Sequence, residues 1–155
     1  MTRYNLSLRF ERVQVCEDRP ASPPPLEDPE RVVSYMAGAF DQFPEQETFW
    51  VIILNVKNVP RARQMITLGT LTSASVHPRE TFRAAIVAGA ASIICVHNHP
   101  SGDPAPSSAD VHTTRELREA GKTLKIPVLD HVVIGNKDAD PTGLGYYSFR
   151  QAGIL

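Results

Sequence analysis

Hydrophobic residues along the chain fall into two patterns, continuous apolar runs and amphipathic stretches with helical periodicity. The β-branched runs at 49–56 and 91–96 predict strands that are buried on both faces. Helices are predicted at 78–89 and 107–124, and a third begins at Asp28-Pro29-Glu30, where a capping residue precedes proline. Further strands are expected near 64–71, 126–134 and 146–149. This order predicts an α/β fold with three α-β-α layers, a mixed sheet and helices on both faces.

The N-terminal region has a different pattern. Leu6, Leu8 and Phe10 alternate with polar residues, which predicts a strand within residues 1–16. Residues 19–27 are rich in proline and have no core-forming pattern, so we interpret them as a semi-rigid connector. We therefore expect residues 1–28 to form a strand and connector, and 29–155 to form the main domain.

Composition is that of an ordinary soluble domain. The 155 residues are 42% hydrophobic and 21% charged, with a formal net charge of −1. No apolar run is long enough to span a membrane, and the N-terminus does not resemble a signal peptide, so we expect a cytoplasmic protein. The charge gives no reason to expect nucleic acid as a partner. Cys16 and Cys95 form no paired motif, although Cys95 lies on the strand face of His97 and is either a soft metal ligand or a small hydrophobe.

The strongest chemical signal follows the run at 91–96. His97 and His99 lie two residues apart in an extended segment, so their side chains point the same way with Cα atoms roughly 6.5–7 Å apart. Asp110 heads the predicted buried stripe of the next helix, which continues through Thr114, Leu117, Gly121 and Leu124. A buried carboxylate needs a partner. Two imidazoles and one carboxylate predict a zinc site with an open fourth position, which is typical of catalytic zinc.

Simpler interpretations exist for the individual residues. Ser107-x-x-Asp110 is also the pattern of a helix N-cap with an acidic first turn, which is compatible with a ligand role for Asp110. Asp130 and His131 either orient a ligand imidazole or form a polar pair at a sheet edge. His77 and His112 are interpreted as surface residues.

The pattern His97-x-His99-x7-Ser107-x-x-Asp110 resembles the JAMM motif of the JAB/MPN metalloproteases, and within them the RadC-like family of bacterial proteins. Further matching segments are Val76-His77-Pro78-Arg79-Glu80, the run His-Asn-His-Pro-Ser-Gly from His97, Leu129-Asp130-His131-Val132-Val133-Ile134-Gly135 and Tyr146-Tyr147-Ser148-Phe149. The resemblance covers roughly 30–153. It implies a JAB/MPN architecture, which is related to that of cytidine deaminases, although the deaminase signature itself is absent.

The resemblance also implies a reaction. In JAB/MPN proteins the catalytic glutamate directly precedes the first central strand, which points to Glu47, with Glu45 and Glu80 as alternatives. With one Zn²⁺ per chain, Glu47 would act as the general base and Ser107 would hydrogen-bond the developing oxyanion. We therefore expect a zinc metallopeptidase that cleaves a peptide or protein substrate; the substrate and the oligomeric state stay open.

Two other functions are compatible with the family. One is a non-catalytic MPN-type binding scaffold. The other is an accessory role in DNA repair, since longer RadC-like proteins carry a helix-hairpin-helix module before the metal domain. About thirty proline-rich residues cannot form that module, and together with the charge this weighs against DNA.

Overall fold

The computed structural model describes residues 23–69 and 76–155. The strand predicted within residues 1–16 lies outside this part of the chain. The elements in chain order are α1 (Pro29–Tyr35), β1 (Thr48–Leu54), β2 (Pro60–Leu68), α2 (Pro78–Val87), β3 (Ser92–Asn98), α3 (Ser108–Leu124), β4 (Val128–Ile134) and β5 (Tyr146–Ser148).

The five strands form one mixed sheet in the order β2-β1-β3-β4-β5. β3 and β4 are parallel, whereas the other neighbouring pairs are antiparallel. All seven residues of β3 are buried, as the apolar run predicts for a central strand. The end of β3 therefore lies at the centre of the sheet, next to the start of β1.

Helices cover both faces of the sheet, which confirms the predicted three-layer α/β fold. On one face Val32 of α1 and the C-cap residue Met36 pack against Ile52, Leu54, Ile94 and Val96. On the other, α2 and α3 pack Phe82, Ala85 and Leu117 against Phe49, Val51, Ile93 and Cys95. The odd and even positions of β1 and β3 thus contribute to different cores, because side chains alternate between faces. No helix within 23–69 or 76–155 combines the length and apolarity that a membrane crossing requires.

Three expectations need correction. The connector contributes to the core, since Leu26 is only 3% exposed and its N–H donates to Asn58 O at 2.9 Å. β2 begins at Pro60, earlier than predicted. Leu124, predicted to end the buried stripe of α3, is 42% exposed, whereas Thr114, Leu117 and Gly121 are buried.

Candidate metal centre

β3 delivers two histidines to one point at its C-terminal end. His97 is fully buried, and His99 follows the strand with its N–H bonded to Ile134 O at 2.8 Å. The ring centroids are 4.9 Å apart and the two Nε2 atoms are 3.1 Å apart. The Nδ1 atom of His99 lies 2.8 Å from the carbonyl oxygen of Asp103. That carbonyl can only accept, so Nδ1 carries the hydrogen and Nε2 is the atom that faces His97.

Asp110 approaches the same point from the first turn of α3. Ser107 is the N-cap, and the two residues form a reciprocal capping box, which confirms the predicted helix start. Asp110 Oδ2 accepts from Ser107 N–H at 2.7 Å and from its hydroxyl at 2.6 Å. Asp110 Oδ1 lies 3.3 Å from His97 Nε2, and Oδ2 lies 3.6 Å from His99 Nε2. The cap therefore fixes the carboxylate beside both rings.

Glu47 completes the cluster from the residue before β1. Its Oε1 atom lies 3.6 Å from His99 Nε2. Glu47, His97 and His99 each offer a ligand atom, and these atoms all lie within 4.8 Å of one another. The alternative glutamates lie elsewhere: Glu80 is a first-turn residue of α2 that pairs with Arg79 and Arg83, and Glu45 is exposed.

The spacing of these donor atoms suits a tetrahedral cation. Nitrogen and oxygen ligands that lie about 2.0–2.2 Å from one zinc ion are about 3.3–3.6 Å from each other. Here the separations are 3.1 Å between the two Nε2 atoms, and 3.3 and 3.6 Å from them to the Asp110 oxygens. The Glu/His/His cluster can hold a metal ion, and the donor atoms of Asp110 lie at equally suitable distances.

The electrostatic environment favours a neutral imidazole at His97 and an ionised carboxylate at Asp110. Burial, and then the neighbouring His131, lower the pKa of His97 well below its ordinary value. Burial opposes ionisation of Asp110, but its hydrogen bond with His99 and the proximity of His97 bring the pKa of the carboxyl well below the usual range. The same bond to Asp110 raises the pKa of His99. At neutral pH a charged carboxylate therefore lies beside a neutral His97.

Comparison with known proteins identifies the family of this chain. The family model of the RadC-like JAB domain matches residues 26–154. The chain belongs to the RadC-like JAB domain family. It is similar to UPF0758 proteins from Desulforudis audaxviator (47% identity over 113 residues, 73% of this chain and 49% of the relative), Caldanaerobacter subterraneus (48% over 123 residues, 79% and 52%) and Bacillus mycoides (49% over 111 residues, 72% and 49%). The chain spans about half the length of these curated relatives.

Behind His97, this RadC-like JAB domain has a buried chain of polar groups. His97 Nδ1 lies 2.8 Å from His131 Nε2, and His131 Nδ1 lies 2.6 Å from Thr114 Oγ1. Burial lowers the pKa of His131 to about 4, so its imidazole is neutral at pH 7. The sheet-edge interpretation of Asp130 and His131 is wrong, because β4 lies between β3 and β5 and both residues are 1% exposed.

The sequence pattern predicted no hydrogen-bond partners for Asn98, which lies between the two histidines, or for Thr114. The Asn98 side chain points to the other face of β3, where Oδ1 accepts from Thr48 N–H at 2.8 Å and Nδ2 donates to Gln46 O at 3.0 Å. Asn98 therefore binds the residue on each side of Glu47. The signal was available in part, because a polar residue in a fully buried strand needs partners.

The remaining sequence candidates have structural roles. Cys95 is buried in the α2/α3 core, which also contains Phe49 and Phe82, and burial raises the pKa of its thiol, so it behaves as a small hydrophobe. His77 is exposed and caps α2 by accepting from Arg79 N–H. His112 is also exposed and lies 3.6 Å from Glu116. Both histidines are surface residues, as predicted.

Proposed function

We propose that this RadC-like JAB domain is a zinc-dependent metallopeptidase that hydrolyses peptide or isopeptide bonds in a protein substrate. The observation that carries the proposal is the convergence of two imidazole nitrogens and a carboxylate at separations of 3.1, 3.3 and 3.6 Å. A second carboxylate, that of Glu47, stands 3.6 Å from the same cluster.

The donors that would hold the metal are His97 Nε2, His99 Nε2 and one oxygen of Asp110. Three protein ligands leave one tetrahedral position open, which distinguishes catalytic from structural zinc sites. When bound, Zn²⁺ would polarise the scissile carbonyl and make water nucleophilic near neutral pH. The cluster is suited to a cation because two imidazole nitrogens and a negatively charged carboxylate meet there with little access to solvent.

Glu47 would move the proton. Its carboxylate is partly exposed at the edge of the cluster, so it can contact both a water molecule and an entering substrate. In hydrolysis the water oxygen forms a bond to the carbonyl carbon while Glu47 Oε1 takes its proton. The C–N bond then breaks, and Glu47 returns the proton to the leaving nitrogen.

Ser107 is the group we assign to the substrate oxyanion. Its hydroxyl donates to Asp110 Oδ2 at 2.6 Å, and the residue is exposed at the start of α3. The hydroxyl hydrogen would turn from Asp110 to the carbonyl oxygen as negative charge develops there. The backbone N–H of Ser107 still donates to Asp110 at 2.7 Å, so the carboxylate keeps one bond to its cap.

The test separates metal binding from catalysis. The purified chain is expected to bind about one zinc by elemental analysis, and His97→Ala/His99→Ala should bind none. Glu47→Gln should keep its zinc but lose hydrolysis of a quenched-fluorescence peptide library and of isopeptide-linked peptides. Glu45→Gln, an exposed glutamate two residues away, is the matched control and should keep both. If Glu47→Gln is as active as the parent chain, or if zinc survives loss of both histidines, the proposal is wrong.

A further inference from the structure

His97 and three groups behind it form a continuous buried hydrogen-bonded chain. It runs from His97 Nδ1 to His131 Nε2 (2.8 Å), from His131 Nδ1 to Thr114 Oγ1 (2.6 Å), and from Thr114 Oγ1 to the Asp110 carbonyl oxygen (2.6 Å). His97, His131 and Thr114 are each at most 1% exposed. Water therefore has little access to these groups, and each must find its partner inside the chain.

The direction of each bond follows from the backbone carbonyl at one end and from the ring of His131, which its burial keeps neutral. A backbone carbonyl only accepts, so the single hydroxyl hydrogen of Thr114 points to Asp110 O, one turn back along α3. Thr114 Oγ1 is then the acceptor for His131 Nδ1–H. Neutral His131 consequently has a lone pair on Nε2 and accepts from His97 Nδ1–H. His97 is left with its lone pair on Nε2, the atom that faces His99 and Asp110.

The ring of His131 is held in place by aromatic contacts. It stacks on Phe149 with centroids 4.9 Å apart and an interplanar angle of 10°. Phe49 meets it edge-on at 5.4 Å. These contacts keep the two nitrogens of His131 directed at His97 and Thr114, so the hydrogen-bonded chain does not depend on a mobile side chain.

The alternative tautomer of His97 would spoil a cation site. With the hydrogen on Nε2, His97 would donate to Asp110 Oδ1, 3.3 Å away, and would have no lone pair for a metal. A hydrogen on Nδ1 instead leaves the Nε2 lone pair of His97 directed at His99 Nε2, 3.1 Å away. A group on the Nδ1 side of the ring that favours this tautomer therefore prepares the site.

We propose that His131 and Thr114 form a positioning pair that fixes His97 in its Nδ1–H tautomer and so prepares Nε2 to bind the metal. The inference rests on the proposed function for the identity of the ligands. The tautomer itself is a property of the metal-free chain. Because Thr114 also bonds the turn that carries Asp110, one hydroxyl links the orientation of two ligands.

Thr114→Val tests the pair, since it removes the hydroxyl and nearly keeps the shape. We expect its zinc affinity, measured by competition with a chromophoric chelator, to fall about 10–100-fold, which is typical for loss of a group that orients a metal ligand. Nitrogen-15 NMR of the zinc-free protein should report His97 as Nδ1–H in the parent chain and a shift towards Nε2–H in Thr114→Val. Thr114→Ser keeps the hydroxyl and should restore both readouts.

The neighbouring Thr113, also buried on α3, is the matched control: Thr113→Val should bind zinc and report the His97 tautomer as the parent does. His131→Phe preserves an aromatic ring beside Phe149 but removes the acceptor, and it should reproduce the defect of Thr114→Val. Parental zinc affinity and an unchanged His97 tautomer in Thr114→Val would overturn the inference, even if that variant were less stable. A parent chain that shows the predicted tautomer but hydrolyses nothing would contradict the proposed function alone.

Discussion

Asn98 holds the segment that carries Glu47, and changing it to aspartate should weaken the fold at that point. Asn98 is 7% exposed and has a different role for each of its side-chain atoms. Oδ1 accepts from the N–H and the hydroxyl of Thr48, both at 2.8 Å, while Nδ2 donates to Gln46 O at 3.0 Å. Asn98→Asp keeps the acceptor but places a carboxylate oxygen against the Gln46 carbonyl.

The magnitude follows from the one bond that is lost. A typical intramolecular hydrogen bond contributes about 1 kcal/mol, and removing one partner so that a buried acceptor is left unpaired costs about 1–3 kcal/mol in total. Gln46 is itself exposed, so we expect the lower part of this range, a loss of about 1–2 kcal/mol in the free energy of unfolding. With a urea m-value of about 2 kcal/mol/M, the midpoint should fall by about 0.5–1 M.

The assay is urea denaturation followed by circular dichroism at pH 7, compared with Asn55→Asp. Asn55 Oδ1 accepts from Lys57 N–H and Val59 N–H at 2.9 and 3.0 Å, a role that a carboxylate also fills, so this control should lie within about 0.5 kcal/mol of the parent. The defect of Asn98→Asp should shrink relative to the parent as pH falls, because a protonated carboxyl can donate to Gln46 O. Equal midpoints for Asn98→Asp and the parent at pH 7 would refute the argument. Zinc should be retained, and hydrolysis should fall roughly 10–100-fold as Glu47 loosens.

Two further predictions concern the groups around the site. The pKa of His131 is about 4 in the folded chain and about 6.5 when unfolded, so the unfolded state binds more protons between these values. The zinc-free protein should therefore lose on the order of 3 kcal/mol of stability as the pH falls from 6.5 to 4. A flat stability profile in urea denaturation over this pH range would contradict a buried neutral His131. Gly135→Ala would bring a Cβ within 2.2 Å of Gly102 O and 2.9 Å of Pro104 Cδ, in the loop that follows His99. We expect Gly135→Ala to lower the free energy of unfolding by about 1–3 kcal/mol and to weaken zinc binding. An unchanged urea midpoint and an unchanged zinc affinity in chelator competition would contradict this steric argument.

Local patterns predicted the parts of this fold that depend on neighbours in sequence. The run before His97 predicted a buried strand because only a central position accommodates uninterrupted apolar, β-branched residues. Ser107 and Asp110 predicted a helix start because the capping box is formed within four residues. The convergence of His97, His99 and Asp110 followed because a strand end and the next helical turn are joined by a short loop.

Features that depend on distant parts of the chain were missed or misjudged. Leu26 was predicted to be part of a proline-rich connector, because no local pattern indicates its backbone hydrogen bond to Asn58. Asp130 and His131 interrupt an apolar strand, a pattern equally typical of an edge strand. Their burial is explained by partners from other elements: Thr114 on α3 for His131, and Ser148 on β5 for Asp130. The catalytic assignments of Glu47 and Ser107 and the ligand role of Asp110 stay predictions.

The central claim is that two imidazoles and a carboxylate share one ion, and a crystal structure of the zinc-loaded protein with anomalous data at the zinc edge tests it most directly. We expect one anomalous peak per chain, about 2.0–2.2 Å from His97 Nε2, His99 Nε2 and an oxygen of Asp110, with the Glu47 carboxylate beside the open position. A peak that lies away from His97 and His99, or one that leaves Asp110 outside the coordination shell, would contradict the account.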